Sequence, residues 1–126
     1  MKVVLDASAL LALLHNEPGA DRVMETLDEA LVSAVNWSEV VQKSLSLQVD
    51  VQGMQQDFSD AGVDFEPFTP SQAEIAARLW LKTHRLGLSL ADRACLALAI
   101  EKNATVITAD PVWSELDLDV DVRLIR

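Results

Sequence analysis

The 126-residue sequence contains one cysteine, Cys95, and two histidines, His15 and His84. A single thiol excludes an intrachain disulfide framework and fits a reducing compartment. With so few imidazoles and thiols, no His- or Cys-based metal cluster competes for a role. Cations are scarce as well: 10 Lys and Arg stand against 20 Asp and Glu, a formal charge of −10. That balance argues against a polyanion binder held by charge alone. It does not exclude a polyanionic ligand approached through divalent cations, which neutralise excess carboxylate. No uncharged apolar stretch reaches the roughly 18 residues needed to span a bilayer. Asp6 interrupts the first apolar run, so no signal peptide is visible, and the expectation is a soluble, cytoplasmic chain. Linkers rich in Gly, Ser or Pro, internal repeats and low-complexity segments are also missing, so residues 1–126 read as one domain. Half of the residues are hydrophobic, enough for a sizeable core.

What is present begins with Lys2-Val3-Val4-Leu5, a short apolar and largely β-branched run that ends abruptly in Asp6. It reads as a buried strand that delivers a carboxylate at its C-terminal end, where open parallel α/β sheets bind their ligands. Ala7–His15 follows as a helix apolar almost all round, broken by Glu17-Pro18-Gly19. Ala20, Val23, Met24 and Leu27 keep the spacing of a second helix. Leu31–Val35 reads as a strand, with Asn36 as N-cap of the next helix and Glu39 three residues on, as in a capping box. Val51, Met54, Phe58 and Ala61 suggest a short helix ended by Gly62, and residues 63–66 alternate as an edge-like strand. Thr69-Pro70-Ser71-Gln72 is a strong helix start, and Ala73, Ala76, Ala77, Trp80 and Leu81 carry the apolar period onward. Ser89-Leu90-Ala91-Asp92 opens an almost wholly apolar helix through Lys102, followed by a strand at 105–108 and a last one at 120–125. Strands near 2–5, 31–35, 63–66, 105–108 and 120–125 alternate with helices, which predicts an α/β domain with a mainly parallel five-stranded sheet.

Four acids share one kind of position. Asp6 and Asp110 end strands, and Glu39 and Asp92 stand in the first turns of helices. Each has a plain explanation as a helix cap that complements the macrodipole for about 0.3–1 kcal/mol. In a parallel sheet, however, all four positions lie along one edge. Like charges 4 Å apart repel by roughly 4 kcal/mol at an effective dielectric of 20, so capping gains hardly offset several such repulsions. If the acids converge, protons or a divalent cation must neutralise them, and an oxygen-only donor set suits Mg²⁺ or Mn²⁺ rather than Zn²⁺. An acidic site without an obvious nucleophile points to metal-assisted phosphoryl transfer by activated water. Ser8 and Thr108, each two residues from an acid, are candidates to orient a ligand or simply to cap locally.

Val4-Leu5-Asp6-Ala7-Ser8, Ala34-Val35-Asn36-Trp37-Ser38-Glu39-Val40, the segment from Leu88 to Ala99 around Asp92, and Val106-Ile107-Thr108-Ala109-Asp110 closely resemble the PIN domain. Within it they resemble the VapC branch of bacterial toxin–antitoxin pairs. The resemblance runs over nearly the whole chain and rests on four motifs in order. It implies a three-layer α/β/α fold and a Mg²⁺- or Mn²⁺-dependent endoribonuclease. It also implies a homodimer and a small VapB-like antitoxin that covers the site, with an antitoxin Arg or Lys entering the acidic pocket. By position, Asp6, Glu39, Asp92 and Asp110 match the family's catalytic and metal-binding quartet, and Ser8 and Thr108 its polar helpers. Pro111 departs from the pattern, where a basic or small residue is expected.

The remaining residues have two readings each. Lys82-Thr83-His84-Arg85 is the densest basic spot, and Arg85 and Arg93 are candidates for RNA phosphate contacts; the plain alternative is a solvated helix end. Trp37 and Trp80 keep helical period and read as core, whereas Trp113, near Asp110, is open to either role. Cys95 reads as a buried small hydrophobe. Two competing functions stand beside the nuclease. In one, a non-catalytic scaffold or RNA- or protein-binding module keeps its acids as caps. The other, a phosphatase or phosphoacceptor, would want a second Asp close to Asp6 or a Lys at a late strand end. Ser8 occupies the first of those positions, and Thr108-Ala109-Asp110 has no Lys.

Overall fold

The alternation of apolar side chains along the short strands divides them between two cores. In the computed structural model, which describes residues 2–126, the strands are β1 (Val3–Leu5), β2 (Ala30–Ser33), β3 (Asp64–Glu66), β4 (Thr105–Thr108) and β5 (Val122–Leu124). They form one sheet in the order β3-β2-β1-β4-β5, and all four pairings are parallel. Val3, Leu5, Ala30, Val32 and Ile107 point into one core, and Val4, Leu31 and Val106 into the other. The first core is covered by α1 (Ala7–Leu14), α2 (Ala20–Met24), α3 (Ala34–Ser46) and α4 (Met54–Asp60), and the second by α5 (Pro70–Thr83) and α6 (Leu90–Lys102). This is the expected three-layer α/β/α arrangement. Because the strands are parallel, the C-terminal ends of β1, β2 and β4 open on one edge, which Asp6, α3 and Asp110 follow directly.

β3 is an edge strand, as its alternation predicts, and α5 starts at the predicted Thr69 cap, whose hydroxyl accepts from Gln72 N at 3.2 Å. Besides a last strand shortened from 120–125 to Val122–Leu124, three expectations shift. β2 ends at Ser33 rather than at residue 35, and Ser33, not Asn36, caps α3 by accepting from Val35 N at 3.2 Å. Glu39 therefore sits a turn deeper in α3 than the N3 position of a capping box. The second helix stops at Met24, and a 3₁₀ turn at Leu27–Glu29 carries Leu27 into the core. Thr26 contributes to that stop: its hydroxyl donates to the Val23 carbonyl at 2.8 Å, a local bond that competes with helix continuation.

The third shift concerns α5, whose buried face is Gln72, Ala76, Leu79 and Thr83 rather than the row through Trp80 and Leu81. Two polar residues hold that face. Gln72 Nε2 donates to Glu101 across the helix pair, and the Thr83 hydroxyl donates to the Leu79 carbonyl. Trp80 is consequently 49% exposed, a correction to its reading as core. Trp37 is half-buried and packs against the first core, edge-on to Phe58 and Phe65, and Trp113 is fully buried. Among the described residues no helix is long and apolar enough to cross a membrane.

Candidate active site

Asp6 is the N-cap of α1 and is 4% exposed. Its Oδ1 accepts from Ala9 N at 2.9 Å and from the Ser8 hydroxyl at 2.7 Å, and its Oδ2 accepts from the Thr108 hydroxyl at 2.5 Å. The two hydroxyls are themselves fixed from behind: Ser8 Oγ accepts from Ala109 N at 2.9 Å, and Thr108 Oγ1 from Asp110 N at 3.1 Å. Each hydroxyl thus spends its one proton on Asp6 and takes a backbone proton in return. Every bond to Asp6 is a donation toward it, an arrangement that suits the ionised carboxylate. Burial works the other way and wins: Asp6 is pushed up from 3.8 to about 6, chiefly by desolvation, against the lowering bonds from Thr108, Ser8 and Ala9, with the nearby Asp92 charge raising it further.

Glu39 projects from α3 toward the start of α6. The buried Asn36 side chain bridges the two helices, its Nδ2 donating to Glu39 Oε1 at 3.2 Å and to the Ala91 carbonyl at 3.1 Å. Desolvation raises the Glu39 carboxyl above its ordinary value, the Asn36 bond lowers it, and the Asp92 charge raises it. Asp92 is N3 of α6 in a complete capping box: Ser89 N donates to its Oδ2 at 2.9 Å, and Asp92 N donates to Ser89 Oγ at 3.1 Å. Asp92 thus acts on both Asp6 and Glu39. Cys95, one turn along α6 and fully buried, is held well above its usual range by burial and by the charges of Asp6, Asp92 and Glu39.

Asp110 lies beyond β4 and caps the 3₁₀ turn Pro111–Glu115, its Oδ1 accepting from Val112 N at 3.0 Å. It joins the others through its backbone, whose N–H holds the Thr108 hydroxyl that serves Asp6. Pro111 fills N1 of that turn, a position where its missing N–H costs nothing and its fixed φ suits the start of a helix.

The structure therefore brings Asp92 within electrostatic reach of both Asp6 and Glu39 and sets Asp110 beyond β4 along the same sheet edge. Among the described residues no three of these acids stand close enough to enclose an ion. Each carboxylate is turned instead to donors of its own. The donor set still fits Mg²⁺ or Mn²⁺ in kind. All its ligating atoms are oxygens, and Mg²⁺ is commonly held through one or two carboxylates while it keeps several waters.

Arg93, although adjacent to Asp92, reaches across to α5, where its Nη1 donates to the Ala76 carbonyl at 2.9 Å. Arg85 is exposed, in the 3₁₀ turn His84–Leu86. Asn36, read from the sequence as the N-cap of the helix, lies instead inside α3 and is buried against α6. Its signal was the three-residue spacing to Glu39, which serves a capping box and a same-face helical pair equally well.

A family profile described as "PIN domain" matches residues 3–118. No curated protein matches the chain by sequence. Among solved structures, the chain is similar to a toxin–antitoxin complex from Klebsiella pneumoniae, with a TM-score of 0.75 at 17% identity over 99% of this chain and 98% of that one. It is similar to VapBC-1 from nontypeable Haemophilus influenzae, with a TM-score of 0.73 at 17% identity over 99% and 98%. It also resembles VapC20 of Mycobacterium tuberculosis, a sarcin–ricin loop cleaving toxin, with a TM-score of 0.69 at 16% identity over 90% and 94%. At these identities the likeness shows a shared fold.

Proposed function

The chain belongs to the PIN domain family, and from that premise we propose that it is a Mg²⁺- or Mn²⁺-dependent endoribonuclease, the toxin of a toxin–antitoxin pair. The observation that carries the reading is the cradle of Asp6: a buried carboxylate kept in position by Ser8, Thr108 and the α1 N-terminus, with the Asp92 charge close enough to raise both it and Glu39. Burying a carboxylate against other carboxylates is costly unless a cation completes the site. When bound, Mg²⁺ or Mn²⁺ would supply water activation and stabilise the leaving oxygen of an in-line displacement. Asp6 and Asp92 are the first candidates to hold it, with Glu39 and Asp110 completing the set. Ser8 and Thr108 keep Asp6 in its ionised, oriented form, and Asn36 aims Glu39. Structured RNA is the substrate class in keeping with the fold shared with a sarcin–ricin loop cleaving toxin.

The fold shared with toxin–antitoxin complexes also supports a small VapB-like antitoxin as partner, in which an Arg or Lys side chain enters the acidic edge and takes the place of metal charge. A homodimer belongs to the same proposal. The non-catalytic reading draws on one specific observation: Asp6, Asp92 and Asp110 each accept a backbone N–H as a cap. Cleavage of a structured RNA pool by the purified chain, with and without Mg²⁺ or Mn²⁺ and beside Asp6→Asn, separates the two. Metal-dependent cut sites absent in the variant are expected. A folded wild-type chain that neither cuts RNA nor binds either metal would sink the nuclease reading and leave the scaffold.

A further inference from the structure

Leu81 is the most exposed large apolar side chain among the described residues, at 72%, and Trp80 beside it is open as well. Both stand on α5, whose Gln72, Ala76, Leu79 and Thr83 face inward, so neither serves the core. At about 3.6 residues per turn, Ala77 and Leu81 fall one turn apart on the outward line of the helix, nearly opposite the buried one. Trp80 and His84 lie on one flank of that line, and Glu74, Arg78 and Lys82 on the other; all are exposed. The His84 ring stacks on Trp80 at 4.1 Å and 14°, and its Nδ1 lies 2.7 Å from the Trp80 carbonyl, which braces the aromatic flank. A leucine beside an alanine notch, rimmed by an indole, suits the middle of an interface better than a solvated helix.

The pattern is self-complementary. In a contact about a two-fold axis, residue i of one copy meets j of the other, and j meets i. Two antiparallel copies of α5 that cross midway between Ala77 and Leu81 set Leu81 of each over Ala77 of the other. The same crossing carries Glu74, about a turn before Ala77, to the stretch about a turn beyond Leu81, where Arg85 of the second copy stands. Like flanks meet in such a pair, so the Trp80–His84 flanks lie together, and Lys82, farthest round the helix, stays in water. Among the described residues neither Glu74 nor Arg85 has an ion-pair partner within its own copy, although ion pairs form elsewhere in the chain.

We propose that the outer face of α5 is where two copies of this chain join, antiparallel, with Leu81 in the Ala77 notch of the other copy and Glu74 against its Arg85. This rests on the homodimer that accompanies the nuclease reading and gives that dimer its surface. Two other occupants fit less well. An acidic helix of another protein would suit the cations but leave Glu74 against like charge, and RNA would leave Leu81 in water. A second copy buries the leucine and pairs the acid.

The test is sedimentation of the full chain in EDTA, without RNA, over concentrations that bracket dissociation. The wild type is expected to be a dimer. Leu81→Glu is expected to raise its dissociation constant at least about 100-fold, by setting a carboxylate in an apolar contact, and Trp80→Ala at least about 10-fold. Glu74→Arg and Arg85→Glu are each expected to weaken the dimer roughly 5-fold, and the two together to restore it, a rescue that charges merely solvated on one helix would not give. Leu45→Glu, at an exposed apolar position on α3, is the control and is expected to change nothing. All of these positions are exposed, and circular dichroism checks that the variants fold. A monomeric wild type, a dimer unmoved by Leu81→Glu, one broken by Leu45→Glu instead, or a double reversal no better than the single ones would overturn the proposal. Each of those outcomes leaves the nuclease reading standing, which fails separately, by a folded chain that cuts no RNA when Mg²⁺ or Mn²⁺ is added.

Discussion

Replacing Asp6 by Asn removes a charge that the fold is held back by. The carboxyl is raised from 3.8 to about 6 in the folded chain. Below pH 3.8 it is protonated in both states and contributes nothing. Between 3.8 and 6 the unfolded chain releases the proton while the folded chain keeps it, and stability falls with rising pH. Above 6 the cost is constant at about 3 kcal/mol, a little over two pH units at 1.36 kcal/mol each. Asn keeps an oxygen for Ala9 N and the Ser8 hydroxyl, but its amide faces Thr108, whose hydroxyl must turn and accept. That rearrangement offsets about 1 kcal/mol. Asp6→Asn is thus expected to be more stable than wild type by roughly 2 kcal/mol at pH 8, and no more stable at pH 4, while losing RNA cleavage. Urea unfolding in EDTA at intervals from pH 4 to 8 reads this directly. A millimolar concentration of Mg²⁺ should narrow the gap at pH 8, because a cation bound only to the folded wild type stabilises it by mass action. A difference between the two proteins that stays flat across that range, or a variant less stable at pH 8, would refute the claim that desolvation of Asp6 dominates its environment.

Glu39→Gln keeps the side-chain volume and the Asn36 contact but removes the charge, and is expected to lower the cleavage rate at least roughly 10²-fold with unchanged circular dichroism. Asn36→Ala cuts the buried bridge from Glu39 to the Ala91 carbonyl; a loss of about 1–2 kcal/mol in urea unfolding is expected, with cleavage falling as well because Glu39 is no longer held. Gly62 and Gly53 both have positive φ, but a Cβ at Gly62 would meet Asp28 Cα at 2.6 Å, whereas one at Gly53 meets nothing within 4 Å. Gly53→Ala should therefore cost only the backbone strain of about 1 kcal/mol, and Gly62→Ala at least about twice that, or fail to accumulate folded protein. Equal melting temperatures for the two variants would count against the close approach at Asp28.

Much of this architecture was legible because period and punctuation agreed. β1 and β4 are announced by β-branched runs and β3 by alternation, and α5 and α6 by Thr69-Pro70 and by Ser89 with Asp92, which the structure realises as caps. Asp6 and Asp110 were placed at strand ends because each run stops abruptly in an acid. What could not be read was set by tertiary partners. Asn36 is buried only because α6 offers the Ala91 carbonyl from 55 residues away. The buried face of α5 turns to Gln72 and Thr83, whose Nε2 and hydroxyl find partners in Glu101 and in the helix's own backbone; apolar periodicity has no means of counting a polar residue paired in this way, so it places Trp80 inward. Burial of Asp6, likewise, depends on how α1 and β4 close over it.

The acids of this chain also show why a cap and a ligand are hard to tell apart by position, and what does separate them. A carboxylate at a helix start stabilises the fold when it is solvated and close to free N–H groups. Asp92 and Asp110 meet that description, and capping alone accounts for where their oxygens point. Asp6 does not. It accepts the same kind of backbone proton from Ala9, yet burial and the Asp92 charge outweigh every bond it receives, so its ionised form costs the fold more than the cap returns. Ser or Asn would accept from Ala9 N without a buried charge. Ser8 and Thr108 aggravate the point, since both give their only protons to hold that charge in place. A residue whose environment is arranged to hold its charge where ionisation is unfavourable is explained by something that binds the charge, and the stability difference between wild type and Asp6→Asn measures what the buried charge costs the fold.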